Sequence, residues 1–381
     1  LRRKITILGS TGSIGRNCLD VIRANKNRFD VVGLAANSNS KLLAAQAREF
    51  RPEKVSMADK TALAGLRRGL TGRMKCLAGE DSAAELVESV RADVVVSAIA
   101  GAAGLGPTLV AIKKGIRVCV ANKEPFVMAG KLMMSAAKRH GATIIPIDSE
   151  HSALWQCLNG ERLNRVKKLI LTASGGPFLG FTRRQLARVT PAQALKHPRW
   201  KMGPKITVDS STLINKGLEV IEARWLFNMP AEKIDVMIHP QSIVHSMVEF
   251  VDRSVVAQLG LPDMRLPIAY ALSYPDRWPA EHKSLDLVAL GRLDFMPPDT
   301  RKFPCLALAY EALEKEGIIP ATLNAANEVA VEAFLKRKIK YLNIPVVIHK
   351  TIDKVKNRPI TSIKSVLEAD LAAREVARSY T

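Results

Sequence analysis

Short apolar runs alternate with amphipathic stretches through the first third of the chain. Residues 5–8, 31–36, 94–99, 118–121 and 144–147 are apolar runs of strand length. Residues 14–24, 41–50 and 127–140 repeat apolar positions at helical spacing. Strands alternating with helices predict a parallel, doubly wound sheet. The pattern then changes. Residues 168–172, 234–238, 245–251 and 255–259 read as strands, with a helix over 210–227. This predicts an α+β region with a second, mixed sheet. Residues 274–304 are rich in proline and lack periodicity, as a linker would be. Helices follow over 306–316, 322–338 and 366–380. The expected organisation is therefore a nucleotide-type α/β domain (1–148), a second α+β domain (149–273), a linker (274–303) and a small helical domain (304–381).

The longest uncharged stretch, 94–112, is long enough to suggest a membrane span. A Gly-rich segment, Gly101 to Gly106, interrupts it, so a buried strand, a turn and a helix start explain it better. Composition adds little to the fold and more to the chemistry. The 381 residues carry 57 Lys and Arg against 36 Asp and Glu, a net charge of +21. The excess is spread along the chain without a basic tail. That disfavours a nucleic-acid binder and suits attraction of small anions. Cys18, Cys76, Cys119, Cys157 and Cys305 are scattered and odd in number, which points to a reducing compartment. No signal-peptide core opens the sequence. The expectation is a bacterial cytoplasm, or a plastid stroma if a transit peptide once preceded Leu1.

Gly9-Ser10-Thr11-Gly12-Ser13-Ile14-Gly15 joins the first strand to the first helix. Glycines there allow a tight turn and close backbone approach, and the helix start offers N–H groups to a pyrophosphate. This predicts a Rossmann-type dinucleotide domain. The second strand ends in Asn37, Ser38 and Asn39, without the acid that would bind an unmodified ribose. A 2′-phosphate fits better, hence NADP(H).

Asp148 and Glu150 follow the strand over 144–147, at the sheet edge where ligands collect. In extended backbone, residues two apart face the same way, so both could bind one Mg²⁺ or Mn²⁺. Ser174-Gly175-Gly176 forms a hydroxyl and glycine turn fit for an oxyanion. Ser210, Asn215, Lys216 and Glu219 cluster around what reads as one helix start, with donors that suit a phosphate. His151, His197, His239 and His245 fall in the same region, and Trp200 sits in a Pro/Gly-bounded loop that could form a lid.

Together these segments resemble the 1-deoxy-D-xylulose 5-phosphate reductoisomerase family. The resemblance lies in GSTGSIG (9–15), ANKE (121–124), DSEHSA (148–153), ASGGPF (173–178), HPRWKMG (197–203), KITVDSSTLINKGLEVIEA (205–223), HPQSIVHSMVEF (239–250), LPDMRLPIAYALSYP (261–275) and LNAANEVAVEAF (323–334). It implies conversion of 1-deoxy-D-xylulose 5-phosphate, by rearrangement and NADPH reduction, to 2-C-methyl-D-erythritol 4-phosphate in isoprenoid precursor biosynthesis. It also implies a homodimer and a divalent metal: Mg²⁺, Mn²⁺ or Co²⁺. By that resemblance Thr11, Gly12, Ser13 and Ile14 hold the pyrophosphate, and Asn37, Ser38 and Asn39 the 2′-phosphate. Asn122, Glu124 and Gly203 also line the cofactor. Asp148, Glu150 and Glu219 bind metal. Lys123 and Ser149 contact the substrate's hydroxyl end. Ser174, Ser210, Asn215 and Lys216 hold its phosphate, with His197 nearby and Trp200 on the closing loop. The chain departs from the family at Asn37, usually Gly, and Pro125, usually Ser. Both departures bear on cofactor affinity. Two other readings stay open from the residues alone: a different NADP-dependent dehydrogenase acting on a small anionic carbonyl compound, and a charge-driven nucleic-acid binder.

Overall fold

The apolar run at 94–97 is buried along its whole length, as expected of a strand covered on both faces. It is the fifth strand of a computed structural model that describes residues 2–70, 74–197, 200, 202–279 and 283–381. In chain order the first elements are β1 (Arg3–Leu8), α1 (Ser13–Ala24), β2 (Phe29–Ala36), α2 (Ser40–Phe50), β3 (Lys54–Met57), α3 (Leu63–Gly69) and β4 (Lys75–Ala78). Then come α4 (Ser82–Ser89), β5 (Val94–Ser97), α5 (Leu105–Lys113), β6 (Arg117–Val120), α6 (Glu124–His140), β7 (Ile144–Pro146) and α7 (Ser149–Cys157). The uncharged stretch 94–112 is thus strand, turn and helix. No helix among the described residues is long and apolar enough to cross a membrane.

The remaining elements are β8 (Val166–Ala173), α8 (Arg183–Leu186), α9 (Pro191–Ala194), α10 (Pro204–Thr212), α11 (Ile214–Leu226), β9 (Ile234–Ile238), β10 (Val244–Phe250) and β11 (Val255–Leu259). They are followed by α12 (Arg265–Ser273), α13 (Leu287–Leu290), α14 (Cys305–Lys315), α15 (Ile319–Leu335), α16 (Asn343–Lys354) and α17 (Ile363–Arg378).

Packing divides the chain into two compact units, each built from separated segments. The first comprises Leu1–Pro125, Met133–Ser152 and Asp263–Glu281. Its sheet runs β4-β3-β2-β1-β5-β6-β7, with every neighbouring pair parallel. The strand order reverses between β1 and β5, so the crevice at their carboxyl ends is the ligand position of this architecture. The proline-rich stretch does not begin as a linker. Its first residues stay in this unit, where Trp278 packs edge-on against Phe29 at 5.5 Å and lies under Arg28. Arg117 donates to the Tyr274 carbonyl at 2.9 Å.

The second unit comprises Phe126–Leu132, Ala153–Pro262 and His282–Thr381. Its sheet runs β11-β10-β8-β9 and is mixed: β10 pairs antiparallel with β11 and β8, whereas β8 and β9 are parallel. Helix α11 packs on β8 and β9 and against α14. The α14 contact is close: a Cβ on Gly217 would lie 2.4 Å from the Ala309 Cβ. Helix α15 is buried on nearly every face and forms the centre around which α10, α14, α16 and α17 pack.

Candidate active site

The glycine turn in the first unit is a backbone device. The N–H groups of Gly9 and Ser10 both donate to the Ala35 carbonyl. The Ser10 hydroxyl and carbonyl are held by buried Gln46 at 2.8 and 2.9 Å. Gly9 has φ +84°, and a Cβ there would sit 2.4 Å from the Ala98 carbonyl oxygen. A Cβ on Gly15 would sit 2.3 Å from the Gly9 carbonyl oxygen, so only glycine lets α1 start this near the turn. Gly12 differs. Its nearest neighbour would be 3.3 Å away, and the residue is exposed at the helix start, where an anion would approach. Thr11 and Ile14 are half-buried beside it and Ser13 is exposed.

Asn37, Ser38 and Asn39 are exposed past β2, and Asn39 caps α2 by accepting from the Leu42 N–H. Asn37 does not occupy the left-handed region, so the turn makes no demand for glycine there. Pro125 lies in the first turn of α6, where a missing N–H costs the helix nothing. Asn122 is buried and donates to the Gly101 carbonyl at 3.0 Å and to the Ile99 carbonyl, while its own oxygen accepts from the Glu124 N–H.

Buried Lys123 lies 3.0 Å from an Asp148 oxygen. The extended backbone expected over 148–150 is not what forms. Helix α7 begins at Ser149, and the Glu150 N–H points back to an Asp148 oxygen at 3.3 Å. Asp148 therefore caps a helix, Glu150 stands in its first turn, and the Ser149 hydroxyl donates to Glu150 at 2.6 Å. The short apolar run before Asp148 concealed the switch to helix. His151 is fully buried, with a ring nitrogen 3.8 Å from Asp148. This group of carboxylate oxygens beside one ammonium, with no sulfur donor, fits a hard divalent cation.

In the second unit the helix expected over 210–227 is two helices. Leu213 adopts φ +61° and ends α10 before α11 begins. Ser210 consequently sits at the end of one helix, not at the start of another. Asn215 and Lys216 sit in the first turn of the next. Gly176 makes the adjacent close approach possible: a Cβ there would meet the Ser210 carbonyl oxygen at 2.8 Å. The Ser174 turn is thereby brought to the end of α10. His197 joins them, with Nε2 3.2 Å from the Ser174 hydroxyl and 3.1 Å from the Ser210 hydroxyl. Its Nδ1 accepts the Trp200 N–H at 2.9 Å. A ring that accepts at Nδ1 while neutral carries its proton on Nε2. Burial favours that neutral form and holds the pKa down at about 4.

Glu219 is buried one turn along α11, accepting from the Asn215 amide at 2.6 Å and paired with the Lys216 ammonium. Gly203 caps α10 and is exposed. Trp200 is half-buried, while its neighbours 198–199 and 201, part of the expected lid, lie outside the described residues. His239 is structural. It bridges the Asp294 carbonyl and the Ile243 N–H and stacks on Phe295. Gln46, which fixes the glycine turn, was missed by sequence reasoning. Its polar side chain on the Leu43–Ala44–Ala47 core face was the available signal.

Residues 5–130 match the family model described as 1-deoxy-D-xylulose 5-phosphate reductoisomerase. Residues 144–227 and 259–376 match two C-terminal domains of the same enzyme. Relatives of that name from Chlorobium phaeobacteroides and Thermodesulfovibrio yellowstonii are 53% and 52% identical, each over 99% of this chain and 98% of the relative. A solved structure of the Zymomonas mobilis reductoisomerase in complex with NADPH is 43% identical with a TM-score of 0.93, covering 100% of this chain and 99% of that one. A crystal structure of DOX-P reductoisomerase in complex with NADPH, fosmidomycin and magnesium is 42% identical with a TM-score of 0.92, covering 99% and 98%. Such similarity along the full length of both partners places the chain in the 1-deoxy-D-xylulose 5-phosphate reductoisomerase family.

Proposed function

We propose that this chain rearranges and reduces 1-deoxy-D-xylulose 5-phosphate to 2-C-methyl-D-erythritol 4-phosphate, with NADPH and a divalent cation, Mg²⁺ or Mn²⁺. The observation that carries this reading is full-length similarity to a reductoisomerase crystallised with NADPH, fosmidomycin and magnesium. When bound, the cation supplies Lewis-acid polarisation and NADPH supplies hydride. The protein's own groups do the positioning. The open face of Gly12 and the first turn of α1 receive the pyrophosphate, and Asn37, Ser38 and Asn39 the 2′-phosphate. Asn122, Glu124 and Gly203 border the cofactor.

Asp148, Glu150 and Glu219 hold the cation in this reading, and Lys123 and Ser149 orient the substrate's hydroxyl end. Ser174, Ser210, Asn215 and Lys216 grip its phosphate. Neutral His197 donates from Nε2 and ties that grip to the backbone of Trp200, on the loop that closes over the substrate. Remote binding energy of this kind orients a small flexible sugar. Water exclusion by the Trp200 loop protects the reactive intermediate.

The active form in this reading is a homodimer in a bacterial cytoplasm. Strand β11 is a sheet edge, and Val251, Val255 and Val256 expose large apolar side chains on and beside it. Such an edge calls for a partner. The test is NADPH oxidation, followed by absorbance, with the purified chain and 1-deoxy-D-xylulose 5-phosphate. Oxidation that requires added Mg²⁺ or Mn²⁺ is expected. Metal-independent oxidation would favour a simple dehydrogenase, and no oxidation by a folded protein would overturn the reading.

A further inference from the structure

The second unit holds a cavity that the proposed reaction leaves unused. Its volume is about 350 Å³, within the range of small-ligand sites. The apolar lining comprises buried Phe303 and Leu308 at the floor, half-buried Leu342 and Pro345, and exposed Val346 at the edge. The rim carries Arg183, Arg301, Lys302 and Lys350, and no carboxylate lines the cavity among the described residues. Lys302 donates to the Leu179 carbonyl and Lys350 lies over the Tyr380 ring, whereas Arg183 and Arg301 are exposed at the mouth. An apolar floor under a cationic rim selects one chemistry: an apolar body ended by an anion. Burial of the body and charge-assisted hydrogen bonds to the head both favour such a molecule. The volume, open on one side, suits a small molecule.

The cavity also touches the joint between α10 and α11. Thr212 lines it, and the Thr212 hydroxyl accepts from the Ile214 N–H across Leu213. Tyr341 lines it too, and its hydroxyl donates to the Ser211 carbonyl at 2.6 Å. These two contacts brace the left-handed Leu213 turn that sets Ser210 on one helix and Asn215, Lys216 and Glu219 on the next.

We propose that this cavity is a second binding site, for a small amphiphilic anion such as an alkyl phosphate, and that its occupant acts on the α10–α11 joint. The site gives a local role to four of the basic residues behind the +21 charge, Arg183, Arg301, Lys302 and Lys350. The binding claim stands on the cavity alone; the coupling claim rests on the reaction proposed above. The Cys305 thiol in the cavity wall is pushed by burial up to about 12.

The probe is octyl phosphate, below its micelle concentration, titrated calorimetrically into the full-length protein, with octyl glucoside and inorganic phosphate as controls. Octyl phosphate is expected to bind at least about ten-fold more tightly than either control, because each lacks one of the two contacts. Arg301→Glu and Val346→Glu, both at exposed positions, are each expected to weaken it about ten-fold while basal turnover is unchanged. Saturating octyl phosphate is expected to raise the KM for 1-deoxy-D-xylulose 5-phosphate about three-fold or more, with a smaller change in kcat. Equal binding of octyl glucoside would overturn the anion assignment. Binding that survives both variants but is lost in Ser174→Ala would place the probe in the substrate site and overturn the second site. A dimer that dissociates in Val346→Glu during sedimentation would assign the cavity to a second copy instead. An unchanged KM at saturation would overturn the coupling and leave the reaction assignment untouched.

Discussion

The two units hold phosphate groups by different means in this account. The first uses backbone: a glycine turn at a strand-order reversal, with Gly9 and Gly15 excluding any Cβ by contacts of 2.4 and 2.3 Å. The second uses side chains: two hydroxyls on one imidazole, then an amide and an ammonium one helix later. A backbone device fails abruptly, because an added Cβ has nowhere to go. A side-chain device fails by degrees, because each donor contributes its own share.

The largest effect expected belongs to neither phosphate grip. Glu219→Gln removes a carboxylate from the proposed cation set and is expected to lower kcat by about 1,000-fold or more, with an unchanged circular dichroism spectrum. A near-normal rate would remove Glu219 from that set. Next is Gly15→Ala, whose methyl group would collide with fixed backbone. It is expected to lower the melting temperature by several degrees and to abolish NADPH binding, as read by thermal melting and fluorescence titration. A variant as stable as the parent would show that the turn is not the rigid device described here. Lys216→Ala should be graded, raising the KM for 1-deoxy-D-xylulose 5-phosphate about ten-fold or more at high NADPH. An unchanged KM would take Lys216 out of the grip.

The smallest effect concerns His197. Burial lowers its pKa to about 4 in the folded chain, against an ordinary value near 6.5. Between those values the unfolded chain takes up the proton and the folded chain does not. The stability due to the neutral ring is therefore full above about pH 6.5 and is lost as pH falls toward about 4. The His197 ring resonance should stay flat from about pH 8 down to about pH 5. A midpoint near the ordinary value would contradict the neutral donor.

The same contrast governs what the sequence revealed. The first unit was legible because periodicity and turn chemistry are local: β1, the glycine turn, α1 and β2 appear where the pattern puts them. Strands β3 (KVSM) and β4 (KCLA) were not, because neither carries the repeated valines that mark the equally short β5 (VVVS) and β6 (RVCV). The side-chain site was legible as a set of residue types but not as a geometry. Nothing in Thr212-Leu213-Ile214 announces a left-handed leucine, so two helices read as one and Ser210 was placed at a helix start. Asp148-Ser149-Glu150 follows an apolar run and reads as extended, although Asp148 caps a helix. Trp278 and Tyr274 anchor to the first unit through contacts with residues far away in sequence, which proline density could not show. Helix α16 was missed as well, yet it forms a wall of the cationic cavity.

In this reading the backbone grip and the side-chain grip serve different ligands, and each can be broken without the other. Gly12→Ala separates them, because its Cβ would lie 3.3 Å from the Gly9 carbonyl oxygen, a tight approach that a small shift of that oxygen relieves, against collisions at 2.4 and 2.3 Å for Gly9 and Gly15. Steady-state kinetics should show the KM for NADPH raised about ten-fold or more and that for 1-deoxy-D-xylulose 5-phosphate, at saturating NADPH, changed by less than about two-fold. An equal rise in both constants would contradict the separation.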